Sequence, residues 1–207
     1  MSTRDAAPML ACRLAAACLA FFIAAAIVLH LLRPDLDPVH SQMSLYLIGP
    51  WGGLLQAAYV ALSVAMVGLA WQARHNAPPH ARSAAALSMF VLGGVCLSIT
   101  AYAGMDLPDV DASMEGLVHG ITAQGAFLFA TTGIVLQALR LRQDPRWRRH
   151  ARWLLPWAVA CFAAIWVLAL ARDLPRGLAQ KAVICLIVGW LAALLVLSWR
   201  RLRMADR

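Results

Sequence analysis

Six uninterrupted apolar runs dominate this chain, near residues 9–32, 54–73, 83–103, 117–139, 153–171 and 179–199. Each has roughly the 20 residues a helix needs to cross a bilayer core about 30 Å thick. No water serves backbone N–H and C=O groups in hydrocarbon, so a spanning segment must be a helix or a strand of a closed barrel. Barrel strands need only about 9–11 residues, so these runs are helices. They consume most of the 207 residues. The fold class is therefore all-α: a polytopic membrane protein, one six-helix bundle, with nothing left over for a soluble domain. Composition agrees, at 62% apolar and 14% charged residues, where soluble domains carry about 45–50% and about 25%.

The first run follows Arg4 and is crowded with alanine, as a secretory signal would be. It exceeds the roughly 7–15 apolar residues of a signal, so it counts as a span. The five cysteines fall inside spans, with no CxxC pair. They read as small apolar packing residues, and no disulfide or iron–sulfur site is expected.

Arginine sets the orientation. Arg4 and Arg13, then Arg74 and Arg82, then the six arginines from Arg140 to Arg152, then Arg200, Arg201, Arg203 and Arg207 occupy alternate connections. They make up fourteen of the eighteen Lys and Arg residues. The positive-inside rule puts those segments in the cytoplasm, with both termini inside. The fourth connection, "RLRQDPRWRRHARW", is basic. It is a short loop between spans, with Trp147 and Trp153 beside its arginines, and reads as an interfacial anchor for anionic headgroups. Nucleic acid is not an expected partner. The Ala- and Arg-rich composition points to a bacterial inner membrane.

Acids collect on the other side. "DLPDVDASMEGLVHG", from Asp106 to Gly120, holds four of the ten acids and one of the six histidines. The three outer loops share a phrase: "DLDP" from Asp35, "DLPD" from Asp106 and "DLPR" from Asp173. The first two match further, "DLDPVHSQM" against "DLPDVDASM". Three related helix hairpins would produce this pattern. So would convergence, because Asp and Pro suit any helix exit.

The longer phrases around these loops carry a resemblance. "DPVHSQMSLYLIGPWGG" leads into the second span, "MDLPDVDASMEGLVHG" into the fourth and "GLAQKAVICLIVGW" into the sixth. Together they resemble the bacterial and archaeal membrane family known as domain of unknown function 998. The resemblance implies a six-span bundle over nearly the whole chain and supplies no activity. Its recurring features fall here on Asp37, Pro38 and Ser44, on Asp106, Gly116 and His119, and on Gly177, Gln180 and Lys181. The family more often has arginine at position 181, and often an acid where Leu45 stands.

His119 enters an apolar run about one turn inside the fourth span, and an ionisable group at that depth is a functional-site candidate. With Asp111 as the helix cap, Glu115 and His119 share one face at i and i+4. Ser44, Asp37, Asp106 and Lys181 are expected at a similar height. The predicted site is an outward-facing pocket lined by Asp37, Ser44, Asp106, Glu115, His119 and Lys181. It would bind a small or lipidic ligand: a zwitterionic headgroup would meet acids at its amine and Lys181 at its phosphate. Membrane lipid is the expected partner.

Three other readings use the same residues. Ser44, His119 and Asp106 are the types of a nucleophile, base and orienter, though no G-x-S-x-G surrounds Ser44. His30, His40, His119 and Asp106 are the types of a zinc site in a lipid hydrolase, though the paired HxxxH of such enzymes is absent from the sequence. His30 and His119 on different helices have the spacing in depth of bis-histidine haem ligands. Finally, the chain could serve as a packing subunit beside a protein partner or a second copy, its outer cluster only stapling loops.

Overall fold

The computed structural model describes residues 3–106, 111–171 and 173–205. Asp109 and Arg172, both in predicted outer loops, lie outside the described residues. Six long helices are present: α1 (Thr3–Leu32), α2 (Gly52–Asn76), α3 (Ala84–Tyr102), α4 (Met114–Gln143), α5 (Arg148–Leu170) and α6 (Arg176–Ala205). All six are long and apolar enough to cross a membrane. Each contains or closely overlaps its predicted apolar run. The longest, at 30 residues, rise roughly 45 Å, so they pass the hydrocarbon core and carry their polar ends into the headgroups.

The helix ends follow local chemistry. Ser83 caps α3 by accepting the Ala86 N–H at 3.1 Å. Ser113, rather than Asp111, caps α4 by accepting the Gly116 N–H at 2.9 Å. Asp and Ser are equally good caps, so residue type left the choice open. The loop closure by Asp106, described below, decides it. Pro78 and Pro79 stop α2 and lead through the 3-10 turn Pro79–Ala81 into α3.

The helices form a ring. Each packs on its neighbour in sequence, α6 closes against α1, and α2 also reaches α6 across the middle. Leu29, Leu55, Leu69, Ile134, Leu154, Trp190, Leu191 and Leu194 are fully buried between them. The adjacent glycines Gly93 and Gly94 let α3 touch two helices. A Cβ on Gly93 would lie 3.1 Å from the Ala130 backbone of α4, and one on Gly94 would lie 3.3 Å from Ser63 of α2. Small residues are what allow such backbone approach in a bilayer. Some buried polar atoms find backbone partners: Thr131 donates to Phe127 O at 2.8 Å within α4, and Trp190 Nε1–H donates from α6 to Leu154 O of α5 at 2.9 Å. Cys12 and Cys161 are part of the same core.

One element departs from a plain hairpin bundle. Between α1 and α2 the chain makes a 3-10 turn, Met43–Leu47, that folds inward and buries Met43, Ser44 and Tyr46. Gly49, at φ +100°, reverses the chain out of it in a conformation that glycine adopts without strain. The Arg33 guanidinium closes over this bend, paired with Asp35 at 2.7 Å and bonded to the Ile48 carbonyl. Met43 opens this turn and Met114 opens α4, so the methionines matched in the two loop phrases both begin helical segments.

Candidate functional site

The predicted site residues separate into two clasps at the arginine-poor end of the bundle. The first joins the α1–α2 connection to α6. Asp37 begins a tight turn: Oδ1 accepts the Val39 N–H at 2.9 Å, Oδ2 meets His40 Nδ1, and its carbonyl accepts the Ser41 N–H at 2.8 Å. The bond from His40, followed by that from Val39, holds the Asp37 carboxyl below the ordinary carboxylate range. The turn presents its carbonyls to α6. Lys181 Nζ donates to Pro38 O at 2.7 Å and to Ser41 O at 2.8 Å. Leu178 N–H donates to Val39 O at 2.8 Å, and Met43 N–H donates to Gln180 Oε1 at 2.7 Å.

Gly177 makes this docking possible. A Cβ there would run into the Ser41 carbonyl and the His40 backbone. Thus Gly177, Gln180 and Lys181 grip the loop that bears Asp37 and Pro38, and Lys181, expected at a headgroup phosphate, is bonded to that loop's carbonyls.

The second clasp joins α3 to α4. Asp106 Oδ1 accepts the Ser113 hydroxyl at 2.6 Å, and Oδ2 accepts the Ser113 N–H at 3.0 Å. Its carboxylate occupies the place where a Cβ on Gly116 would be. His119, one turn further along, is 5% exposed and donates from Nδ1 to Ala103 O at 2.9 Å. That carbonyl belongs to the end of α3, where the helix supplies no partner of its own. A carbonyl can only accept, so Nδ1 carries the hydrogen of this bond. Thr122 on α4 accepts a further bond from Thr100 of α3 at 2.9 Å.

These bonds do not connect Ser44, His119 and Asp106 into a relay, because His119 donates to a backbone carbonyl and Asp106 is taken by Ser113. The four metal candidates are each bonded to another group. His40 is on Asp37, His119 on Ala103 and Asp106 on Ser113. His30 Nδ1 bonds Ala26 O at 2.6 Å while its ring stacks on Tyr46. Among the described residues no group of three or more His, Cys, Asp or Glu side chains could share an ion.

Asp106 yields a test through acidity. Its bonds from the Ser113 hydroxyl, then from the Ser113 N–H, hold its pKa below the ordinary value. A carboxyl whose folded pKa is lowered contributes stability above its unfolded pKa and loses it as pH falls through the folded value. Thermal midpoints of the wild type and Asp106→Asn, measured in detergent, should therefore differ at neutral pH. The gap should close as acid protonates the native carboxylate. A gap that stays constant down the titration would contradict the clasp.

Two spaces lie beside the clasps. A small cavity of about 70 Å³ sits inside the ring below the Met43–Leu47 turn, with Ser44, Tyr59, Thr100 and Gln180 among apolar walls. A much larger groove, about 1250 Å³, opens on the outside of the ring. It runs along α1, α2 and α3 from Trp71 near the arginine-rich end to Tyr102 and Glu115 at the other. Its floor is made of small residues, including Ala15, Ser63, Gly68, Gly94 and Ser98. Ser98 donates to Ser63 at 3.2 Å, and Ser63 in turn meets the Tyr59 and Gly94 carbonyls, both at 2.9 Å. The hydroxyls thus face inward and the groove is apolar. Glu115 is exposed at its mouth, close beside Gly104. Of the six predicted pocket residues, Glu115 borders the groove and Ser44 lines the cavity, while Asp37, Lys181, Asp106 and His119 hold the clasps. The groove itself was missed, although the small residues of its floor are visible in the apolar runs.

Six apolar helices closed into a ring, with charged fastenings at the ends, define an integral membrane protein of the multi-pass class. The profile of the family described as "Protein of unknown function (DUF998)" matches residues 15–197, and the chain belongs to that family. No curated protein and no solved structure matches the chain significantly.

Proposed function

We propose that this protein binds a membrane phospholipid with an amine-bearing headgroup, in a bacterial inner membrane. The acyl chains lie in the α1–α2–α3 groove and the amine meets Glu115. The groove carries this reading: it is overwhelmingly apolar, extends along most of the span, and among the described residues that line it Glu115 is the one acid, at its end. At about 1250 Å³ it exceeds the roughly 300–1,000 Å³ of pockets for drug-sized molecules, as a site for acyl chains must. The clasp between α3 and α4 then serves the groove. Asp106 and His119 fix the start of α4, and with it Glu115, against the end of α3.

Native mass spectrometry with added phosphatidylethanolamine tests the reading. Gly68 has open space, since an added Cβ would have no neighbour nearer than 3.9 Å. Gly68→Leu should fill the groove without unfolding the protein, and should weaken lipid retention about tenfold, the effect of roughly 1.4 kcal/mol. Glu115→Gln should cost about fivefold for phosphatidylethanolamine, as loss of one partly exposed ionic contact does, and nothing for phosphatidylglycerol. Unchanged retention in both variants would overturn the proposal.

A further inference from the structure

We infer a second lipid site at the opposite face, where the α4–α5 turn meets the end of α6, that takes the phosphate of an anionic headgroup. The turn is rigid. Asp144 is 2% exposed, accepts the Arg146 backbone N–H at 3.0 Å and forms an ion pair with its guanidinium at 2.8 Å. Arg146 also donates to the Asn76 carbonyl at 2.7 Å, tying the turn to the end of α2. Burial pushes the Asp144 carboxyl up, but the Arg146 bonds, with the Arg146 and Arg201 charges behind them, outweigh it and hold the group ionised. Trp147 comes next. The Arg201 guanidinium of α6 lies 4.1 Å from its ring centre, and His150 meets the ring edge-on at 6.3 Å.

This arrangement leaves charge unbalanced at one place. Asp144 is spent on Arg146. Among the described residues, Arg148, Arg149, Arg152, Arg200, Arg201 and Arg203 have no carboxylate partner. Those six come from two elements that Trp147 and Arg201 pin together. Ser198 Oγ, one turn before Arg201, and His150 Nδ1 are buried without a hydrogen-bond partner among the described residues. Trp153 is exposed at the same end and Trp199 stacks under Arg203, the belt that marks headgroup depth. The positive-inside rule explains why arginines are on this face. It does not explain why Arg201 is stacked on a braced tryptophan, with the nearby acid already paired to Arg146 and the other arginines of both helix ends left without a carboxylate among the described residues. A phosphate at headgroup level supplies the missing countercharge, and guanidinium groups suit phosphate geometry.

The test compares two charge-matched double variants of exposed arginines, titrated with dioleoylphosphatidylglycerol and with dioleoylphosphatidylcholine by native mass spectrometry. Arg149→Gln with Arg200→Gln removes two charges from the site. Arg13→Gln with Arg74→Gln removes two from the same face elsewhere. None of these four residues packs in the core, so folding is not at stake. The first pair should weaken phosphatidylglycerol binding about 30-fold, at roughly one kcal/mol for each charge. The second should weaken it less than about threefold, since screening confines each charge to a Debye length of about 10 Å. Phosphatidylcholine, which the groove can hold but this site has no reason to prefer, should be retained equally by the wild type and both pairs. Equal losses of phosphatidylglycerol in both pairs would reduce the site to a diffuse basic surface and overturn the inference, as would a loss of phosphatidylcholine in the first pair as large as that of phosphatidylglycerol. Because the groove variant Gly68→Leu lies at other residues, it should leave phosphatidylglycerol binding here intact, so the two sites fail or stand separately.

Discussion

Gly177→Ala should lower the thermal midpoint of this protein by roughly 6–12 °C, although it adds only one methyl group. The added carbon would strike the Ser41 carbonyl and the His40 backbone, and backbone cannot rotate out of the way as a side chain can. Either α6 or the loop must move. Movement separates the Leu178 N–H from Val39 O and lengthens both Lys181 bonds. Overpacking of this kind costs about 3 kcal/mol at the upper end of its usual range, and a chain of this size loses about 2–4 °C for each kcal/mol. Thermal unfolding in detergent measures the midpoint, and limited proteolysis near His40 reports the released loop. Gly53→Ala is the control, because a Cβ there meets nothing within 4 Å. An equal, small effect in both variants would show that the loop does not depend on close contact with α6.

Lys181→Met should be nearly as damaging, for an electrostatic reason. The ammonium is the donor for Pro38 O and Ser41 O, and it lies 5.5 Å from the centre of the Tyr46 ring. Methionine keeps the apolar stem and removes both bonds. Hydrogen bonds to a charged group are worth about 1.5–3 kcal/mol each, and the abandoned carbonyls lose their partner, so a loss of about 3 kcal/mol is expected. Lys181→Arg keeps a donor for each carbonyl and should recover most of the stability. The two variants separate roles. If Lys181 held a ligand instead of the loop, Lys181→Met would leave the ligand-free midpoint unchanged.

Much of this was legible in the sequence because hydrocarbon is an unforgiving solvent. Six runs of sufficient length fix six helices, and each helix contains or nearly matches its run. Local signals carried through less well. Asp111 is the cap expected for α4, and Ser113 takes its place. The inward 3-10 turn was not legible. Met43, Tyr46 and Leu47 sit in a stretch too short to span and too apolar to look like a loop, and only the ring of helices gives them something to bury against. The site was read less well than the fold. Acids, histidine and lysine at one height suggested a single pocket. In the structure their hydrogen-bonding capacity goes first to nearby backbone groups at helix ends, which have no other partners. Lys181 reaches across 140 positions to Ser41, a pairing that no local pattern announces.

The division has a physical origin. Transfer of a segment into a bilayer depends on the segment's own side chains and backbone, summed along the chain, so span number, span limits and the arginine-marked side are written in one dimension. Which faces of those helices meet is a different question, since lipid is as apolar as the side chains and hydropathy is indifferent to the outcome. Close packing at Gly93, Gly94, Gly116 and Gly177 settles it, and so the clasps, the long groove beside Glu115 and the stacking of Arg201 on Trp147 exist only once the helices have been brought together.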